Sequence, residues 1–146
     1  MKKILYFALV SLMAVAVCAC SDDDEPINPL ELPQTARNFL TQYFPTYEIR
    51  SVEKDGRHDN TEYTVTFVNG YEVEFDAAGE WTDVDAPRGL AIPDGIAPAP
   101  IAEYVTSYYP TDGINEISRD TRGYDVDLIS GIELEFTLTG DLVSIN

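Results

Sequence analysis

The sequence predicts an α+β fold, a tandem repeat of two units, each a helix packed on a four-stranded antiparallel meander sheet. Three observations predict it. One stretch occurs twice, Ala36-Arg-Asn-Phe39-Leu40-Thr-Gln-Tyr43-Phe44-Pro45 and Ile101-Ala-Glu-Tyr104-Val105-Thr-Ser-Tyr108-Tyr109-Pro110. In each copy the apolar residues recur at the three-and-four spacing of one helical face, and the proline ends the run because the residue before it avoids helical geometry. Each copy is followed by an isoleucine four residues after its proline, an alternating run, an Asn-Gly or Ser-Gly turn, and a second alternating run.

The N-terminus is set apart from the fold. Lys2 and Lys3 precede an apolar run, Ile4 to Val17, that is too short to span a membrane and reads as a signal peptide over 1–19. Val17-Cys18-Ala19-Cys20 resembles a bacterial lipobox, and the small Ala19 at minus one makes Cys20 the expected lipidation site. Ser21, Asp22, Asp23, Asp24 and Glu25 follow at once. On composition this run is a solvated tether; in position it resembles the export signal that sends lipoproteins of Bacteroides-type bacteria to the cell surface. The expected location is an outer-membrane lipoprotein at the cell surface, with a periplasm-facing one as the alternative. Residues 20–31 are expected to be a lipidated acidic tether, 32–84 the first unit, 85–97 a proline-containing linker and 98–146 the second unit. With Cys20 lipidated and Cys18 removed, no disulfide is available, and packing alone holds the units together.

Within each unit the alternation sets the register. Leu32-Pro33 opens the first helix, where a proline loses no hydrogen bond. Ile49 and Val52, and again Ile114 and Ile117, are three apart rather than two, which predicts a bulge shared by both first strands. Tyr63, Val65 and Phe67 alternate before the turn, and Tyr71, Val73 and Phe75 after it. A two-residue loop would put Phe67 opposite Glu72. A three-residue loop with Gly70 in the left-handed position pairs Val65 with Val73 and Tyr63 with Phe75. The same rule pairs Val126 with Leu134 and Tyr124 with Phe136. Ala77-Ala78-Gly79 and Leu138-Thr139-Gly140 then turn into short fourth strands bearing Trp81 and Leu142. The helix aromatics Phe39, Tyr43, Phe44, Tyr104, Tyr108 and Tyr109 are expected in the core.

The opposite face follows by alternation: Thr64, Thr66, Glu72 and Glu74 in the first unit, Asp125, Asp127, Glu133 and Glu135 in the second. Asp127 then faces Glu133 and Asp125 faces Glu135, like charges that destabilise a sheet unless something neutralises them or a ligand uses them. Either Arg119 and Arg122 neutralise the pairs or the face is merely solvated, or it receives a basic patch on a protein partner. The formal charge of −17 excludes nucleic acid and anionic membrane surface as partners, leaving the lipid as the one expected contact with a membrane.

Oxygen-bearing residues also gather between strands, where Asp55, Asp59, Asn60 and Glu62 are weak candidates for a calcium site beside His58. Their spacing matches no recognised calcium loop, so no metal and no cofactor is expected. His58 is the only histidine, no free thiol survives processing, and the acids lie on a flat sheet face. No triad, zinc site or carboxylate pair in a cleft can be assembled, and no catalytic residue is expected.

Leu32-Pro33, the helix, Tyr43-Phe44-Pro45, Ile49-x-x-Val52, the alternating strand and Asn69-Gly70-Tyr71-Glu72-Val73-Glu74-Phe75-Asp76-x-x-Gly79-Glu80-Trp81, followed by a second round, resemble the PepSY-like, beta-lactamase-inhibitor-like family of Bacteroides-type secreted lipoproteins. The resemblance covers roughly Leu32 to Ile145 and implies helices behind a curved sheet whose open face binds a partner. Inhibition of an enzyme is a fold-level analogy, and this chain lacks that inhibitor's disulfides. The expected function is therefore a non-catalytic surface or periplasmic lipoprotein that binds a protein, inhibitor-like in manner; the alternative is a calcium- or small-molecule-binding protein.

Overall fold

Prolines bound both helices. In the computed structural model of the chain, which describes residues 25–55 and 62–146, α1 spans Gln34–Tyr43 behind Pro33 and α2 spans Ala99–Tyr108 behind Pro98. Pro45 and Pro110 keep the preceding segments from extending the helices, which are capped at Phe44 (φ −127°) and Tyr109 (φ −131°). Ala36 and Leu40 on α1, and Ile101 and Val105 on α2, are buried against the sheet.

The strands are β1 (Glu25–Pro26), β2 (Ile49–Lys54), β3 (Tyr63–Phe67), β4 (Glu72–Phe75), β5 (Trp81–Asp85), β6 (Ile114–Arg119), β7 (Gly123–Leu128), β8 (Glu133–Thr137) and β9 (Leu142–Ile145). They form one antiparallel sheet of nine strands in chain order, giving an α+β fold. The pairing of β5 with β6, through Asp83↔Ser118, Val84↔Ile117 and Asp85↔Glu116, joins into one sheet what the sequence reads as a four-stranded meander in each unit. The physical reason is that β5 and β6 each carry an apolar residue flanked by polar ones. Pairing them buries Val84 and Ile117 completely and removes two open edges.

The predicted hairpin registers are those observed: Val65↔Val73 and Tyr63↔Phe75, Val126↔Leu134 and Tyr124↔Phe136. Gly70 (φ 91°) and Gly131 (φ 89°) supply the left-handed residue that each three-residue loop requires. The shared bulge is present, with register shifts between Ile49 and Ser51 and between Ile114 and Glu116. Two further shifts, between Glu74 and Phe75 and between Glu135 and Phe136, had no counterpart in the sequence reading.

The segments on either side of the first unit are not free chain. Glu25 and Pro26 pair with Lys54 and Glu53, and Asn28 and Glu31 close a capping box around a 3-10 turn, so residues 25–31 depart from the expected tether. Asp85, placed in the linker from the sequence, ends β5. Beyond it the Asn115 amide donates to the carbonyls of Ala86 (3.0 Å), Pro87 (3.2 Å) and Leu90 (2.8 Å). Tyr71 Oη reaches the Ala91 carbonyl at 3.0 Å, Tyr43 Oη reaches that of Gly95 at 3.1 Å, and Ile92 and Ile96 are buried.

The core lies between the helices and one face of the sheet. Phe44 stacks on Phe67 with centroids 4.9 Å apart, and Phe39 and Tyr104 meet Phe75 and Phe136 edge-on at 5.7 and 5.5 Å. Phe67 and Phe75 are almost wholly buried, each contributing on the order of 1.5–3 kcal/mol of transfer free energy. One helix aromatic departs from the expectation. Tyr108 is 68% exposed, whereas Tyr43 at the same helical position is held by the Gly95 carbonyl.

Candidate functional site

The far side of the sheet from the helices carries two transverse rows of carboxylates. Successive cross-strand partners from β4 to β8 are Glu72, Asp85, Glu116, Asp127 and Glu133 in one row. The other row runs Glu74, Asp83, Ser118, Asp125 and Glu135, then reaches Ser144 on β9. Thr66 and Thr64 extend the rows onto β3 opposite Glu72 and Glu74, and the Thr66 hydroxyl donates to Glu72 at 3.1 Å. All eight face residues read from the sequence are therefore brought together on one surface, with Asp127 opposite Glu133 and Asp125 opposite Glu135 as expected.

Sequence reasoning missed Asp83, Asp85 and Glu116, which join the two acidic hairpins, one row unbroken and the other interrupted by Ser118. The signal was present. Asp83 and Asp85 flank Val84, and Glu116 precedes Ile117, so the alternation that assigned the hairpin faces also assigns these.

Crowding of like charges on a half-buried surface suppresses ionisation at the centre. Asp83 is pushed up to about 8, first by burial and then by Glu116, Glu74, Asp85 and Glu72. Burial followed by neighbouring acids also raises Asp85, Glu116 and Asp125; for Glu116 a hydrogen bond with Asp83 works in the opposite direction. Burial and mutual repulsion thus favour the protonated form at the centre of the rows, around Asp83 and Glu116.

Internal neutralisation by the two candidate arginines is only slight. Arg119 turns to the helix side, where it lies 5.1 Å from the Trp81 ring centroid, donates to the Trp81 carbonyl at 2.6 Å and approaches Glu80 at 3.8 Å. Arg122 is bound to Asp120 at 2.7 Å, and its charge reaches Asp125 and Glu135 from the rim. Arg88 lines a depression of about 260 Å³ with Asp127 and Glu133 at the opposite rim. No lysine or arginine occupies a register position within either row.

The remaining candidates fall elsewhere. Cys20, Ser21, Asp22, Asp23 and Asp24 lie outside the described residues, as do His58, Asp59 and Asn60; Glu25 is in β1. The Asp55 N–H donates to the Glu62 carbonyl at 2.9 Å, and Glu62 pairs with Lys54 at 3.3 Å. Among the described residues no cluster of histidine, cysteine or carboxylate ligands has the geometry of a metal site.

The model of the PepSY-like, beta-lactamase-inhibitor-like family matches residues 61–144. No curated protein matches the chain. Among solved structures, a Bacteroides thetaiotaomicron protein described as calcium-regulated and periplasmic is 37% identical, with a TM-score of 0.81 over 86% of this chain and 98% of that one. A Bacteroides vulgatus protein described as periplasmic is 34% identical over the same shares, also with a TM-score of 0.81. A second Bacteroides vulgatus protein, described as periplasmic and of unknown function, is 25% identical, with a TM-score of 0.77 over 84% of this chain and 98% of that one.

Proposed function

The chain belongs to the PepSY-like, beta-lactamase-inhibitor-like family, and from that premise we propose that it is a non-catalytic lipoprotein that binds a basic protein partner through the acidic rows. The observation that carries this reading is the uninterrupted row Glu72–Asp85–Glu116–Asp127–Glu133 across five strands, with no cation among its register positions. Like-charge neighbours cost roughly 0.2–1 kcal/mol each, a cost that a cationic partner reverses on binding. A partner-binding sheet face is in keeping with the family's inhibitor-like description. In this reading Cys20 carries the lipid in the outer membrane and Ser21 to Glu25 direct the chain to the cell surface, a periplasm-facing lipoprotein being the alternative. The periplasmic descriptions of the neighbours support secretion. No helix among the described residues is long and apolar enough to cross a membrane. The two helix-plus-four-strand stretches are read as copies of one unit, on the strength of their matching registers.

Affinity capture from cell-surface and host-surface extracts, with the Asp127→Lys/Glu133→Lys variant as control, tests the reading. A basic protein retained by the native face and lost from the variant is expected; equal retention by both would remove it.

One observation favours a second reading. The relative that is 37% identical is described as calcium-regulated, and the acids here are hard oxygen ligands. If calcium binds the folded chain, the melting temperature rises with calcium at fixed ionic strength and magnesium does not reproduce the rise. A melting temperature that millimolar calcium leaves unchanged would exclude it.

A further inference from the structure

β9 ends the sheet, and its outer edge is apolar. Ile145 is 52% exposed and Val143 61%, and Leu138 and Leu142 beside them are exposed as well. The Asn146 N–H and C=O both bond back to Glu133 of β8. Because ladder bonds alternate along an antiparallel strand, the N–H and C=O of Ile145 point away from the sheet. A strand of this kind is a template for another extended chain.

β5 occupies the same register in the first half of the sheet, and there the edge is covered. Trp81 and Val84 pair with Phe75 and Val73 as Leu142 and Ile145 pair with Phe136 and Leu134. Val84, with β6 laid alongside β5, is 0% exposed, where Ile145 is 52%. β6 also shows what such a strand brings: Ile117 opposite Val84, and two residues later Arg119, over Trp81 and toward Glu80. On β9 the residues at the positions of Asp83 and Asp85 are Ser144 and Asn146, short and uncharged. An incoming strand therefore meets no carboxylate side chain at these positions, while Glu133 and Glu135 stand one strand further in.

We infer that the edge of β9 is a docking strand for an extended segment of the basic partner, added antiparallel as β6 is added to β5. The segment would place an apolar residue opposite Ile145 and lysine or arginine on either side of it. The apolar residue would lie beside Ile145 and Leu142, and the cations would reach over Ser144 and Asn146 to Glu135 and Glu133. A second copy of this chain fits less well, because it brings another strongly acidic body to an acidic rim. The inference rests on the basic-partner reading and adds to it the place and the backbone geometry of contact.

The probe is a synthetic peptide with the sequence of residues 112–121 in which Glu116→Lys and Ser118→Lys are made, and a twin N-methylated at the position of Ile117. The two carry the same charge, and only the first can complete the ladder. Expected are at least tenfold weaker binding of the twin in calorimetry, and at least tenfold slower hydrogen exchange at the Ile145 amide when the first peptide saturates the protein. Equal binding of the twins with unchanged exchange at Ile145 would overturn the inference and leave face binding standing. No binding of either would also overturn it, and titration with decalysine then decides the basic-partner reading separately.

Discussion

Asp83→Asn removes the most strongly perturbed charge from the rows while keeping the shape of the side chain and a donor toward Glu116. Folding raises the Asp83 carboxyl from its ordinary 3.8 to about 8, so between those values the folded chain holds a proton that the unfolded chain has released. The stability due to this group is fully present below about pH 3.8 and is lost as pH rises through about 8. At about 1.36 kcal/mol per pH unit, the stretch from pH 5 to pH 8 amounts to roughly 4 kcal/mol for an isolated, fully realised shift. Water on the open side and proton sharing with Glu116 reduce this to roughly 2 kcal/mol. Asparagine cannot titrate. Urea unfolding of both chains at pH 5, 7 and 9 should therefore show the variant gaining on the native protein by about 2 kcal/mol from the lowest to the highest pH. A difference that stays constant over that range would refute the assignment of a buried, repelled proton site to the centre of the rows.

Other expectations follow from packing and from the seam between β5 and β6. Gly123→Ala drives a Cβ into the Phe136 carbonyl oxygen, and a loss of more than about 3 kcal/mol should be visible as a large drop in melting temperature. Asn115→Ala removes the donor to three carbonyls of the segment after β5 and should cost on the order of 1–3 kcal/mol by urea denaturation. Phe67→Ala, in the aromatic cluster with Phe44 and Tyr47, should cost about 3–5 kcal/mol. Raising sodium chloride from 0.05 to 0.5 M should raise the melting temperature of the native chain, because screening relieves the rows; a fall would count against net repulsion on that face.

The parts of this molecule that alternation governs were legible in its sequence. A slip of one residue would have turned Glu72 into the core opposite Phe67, so burial of one face left a single register for each hairpin. The shared three-residue spacing of Ile49 to Val52 and Ile114 to Ile117 likewise located both observed bulges. What escaped was long-range. Nothing local says that β5 pairs with β6 rather than each edging its own sheet, since that choice is made by burial of Val84 against Ile117 across an intervening segment. The site was half legible for the same reason. The hairpin acids carried their own turn as a reference, whereas Asp83, Asp85 and Glu116 gain their meaning only when two strands distant in sequence meet. The direction of Arg119 was equally hidden, because Trp81 comes within its reach only through that pairing.

Binding of decalysine to three chains bears most directly on the claim that the acidic rows receive a basic partner. The chains are the native protein, Asp127→Lys/Glu133→Lys, and a control, Asp94→Lys/Glu103→Lys, which changes the net charge equally at exposed acids outside the rows. The rows being the site, the first variant should lose at least tenfold in affinity and the control should stay within about twofold of native. Equal losses in both variants, or no loss in the first, would contradict it.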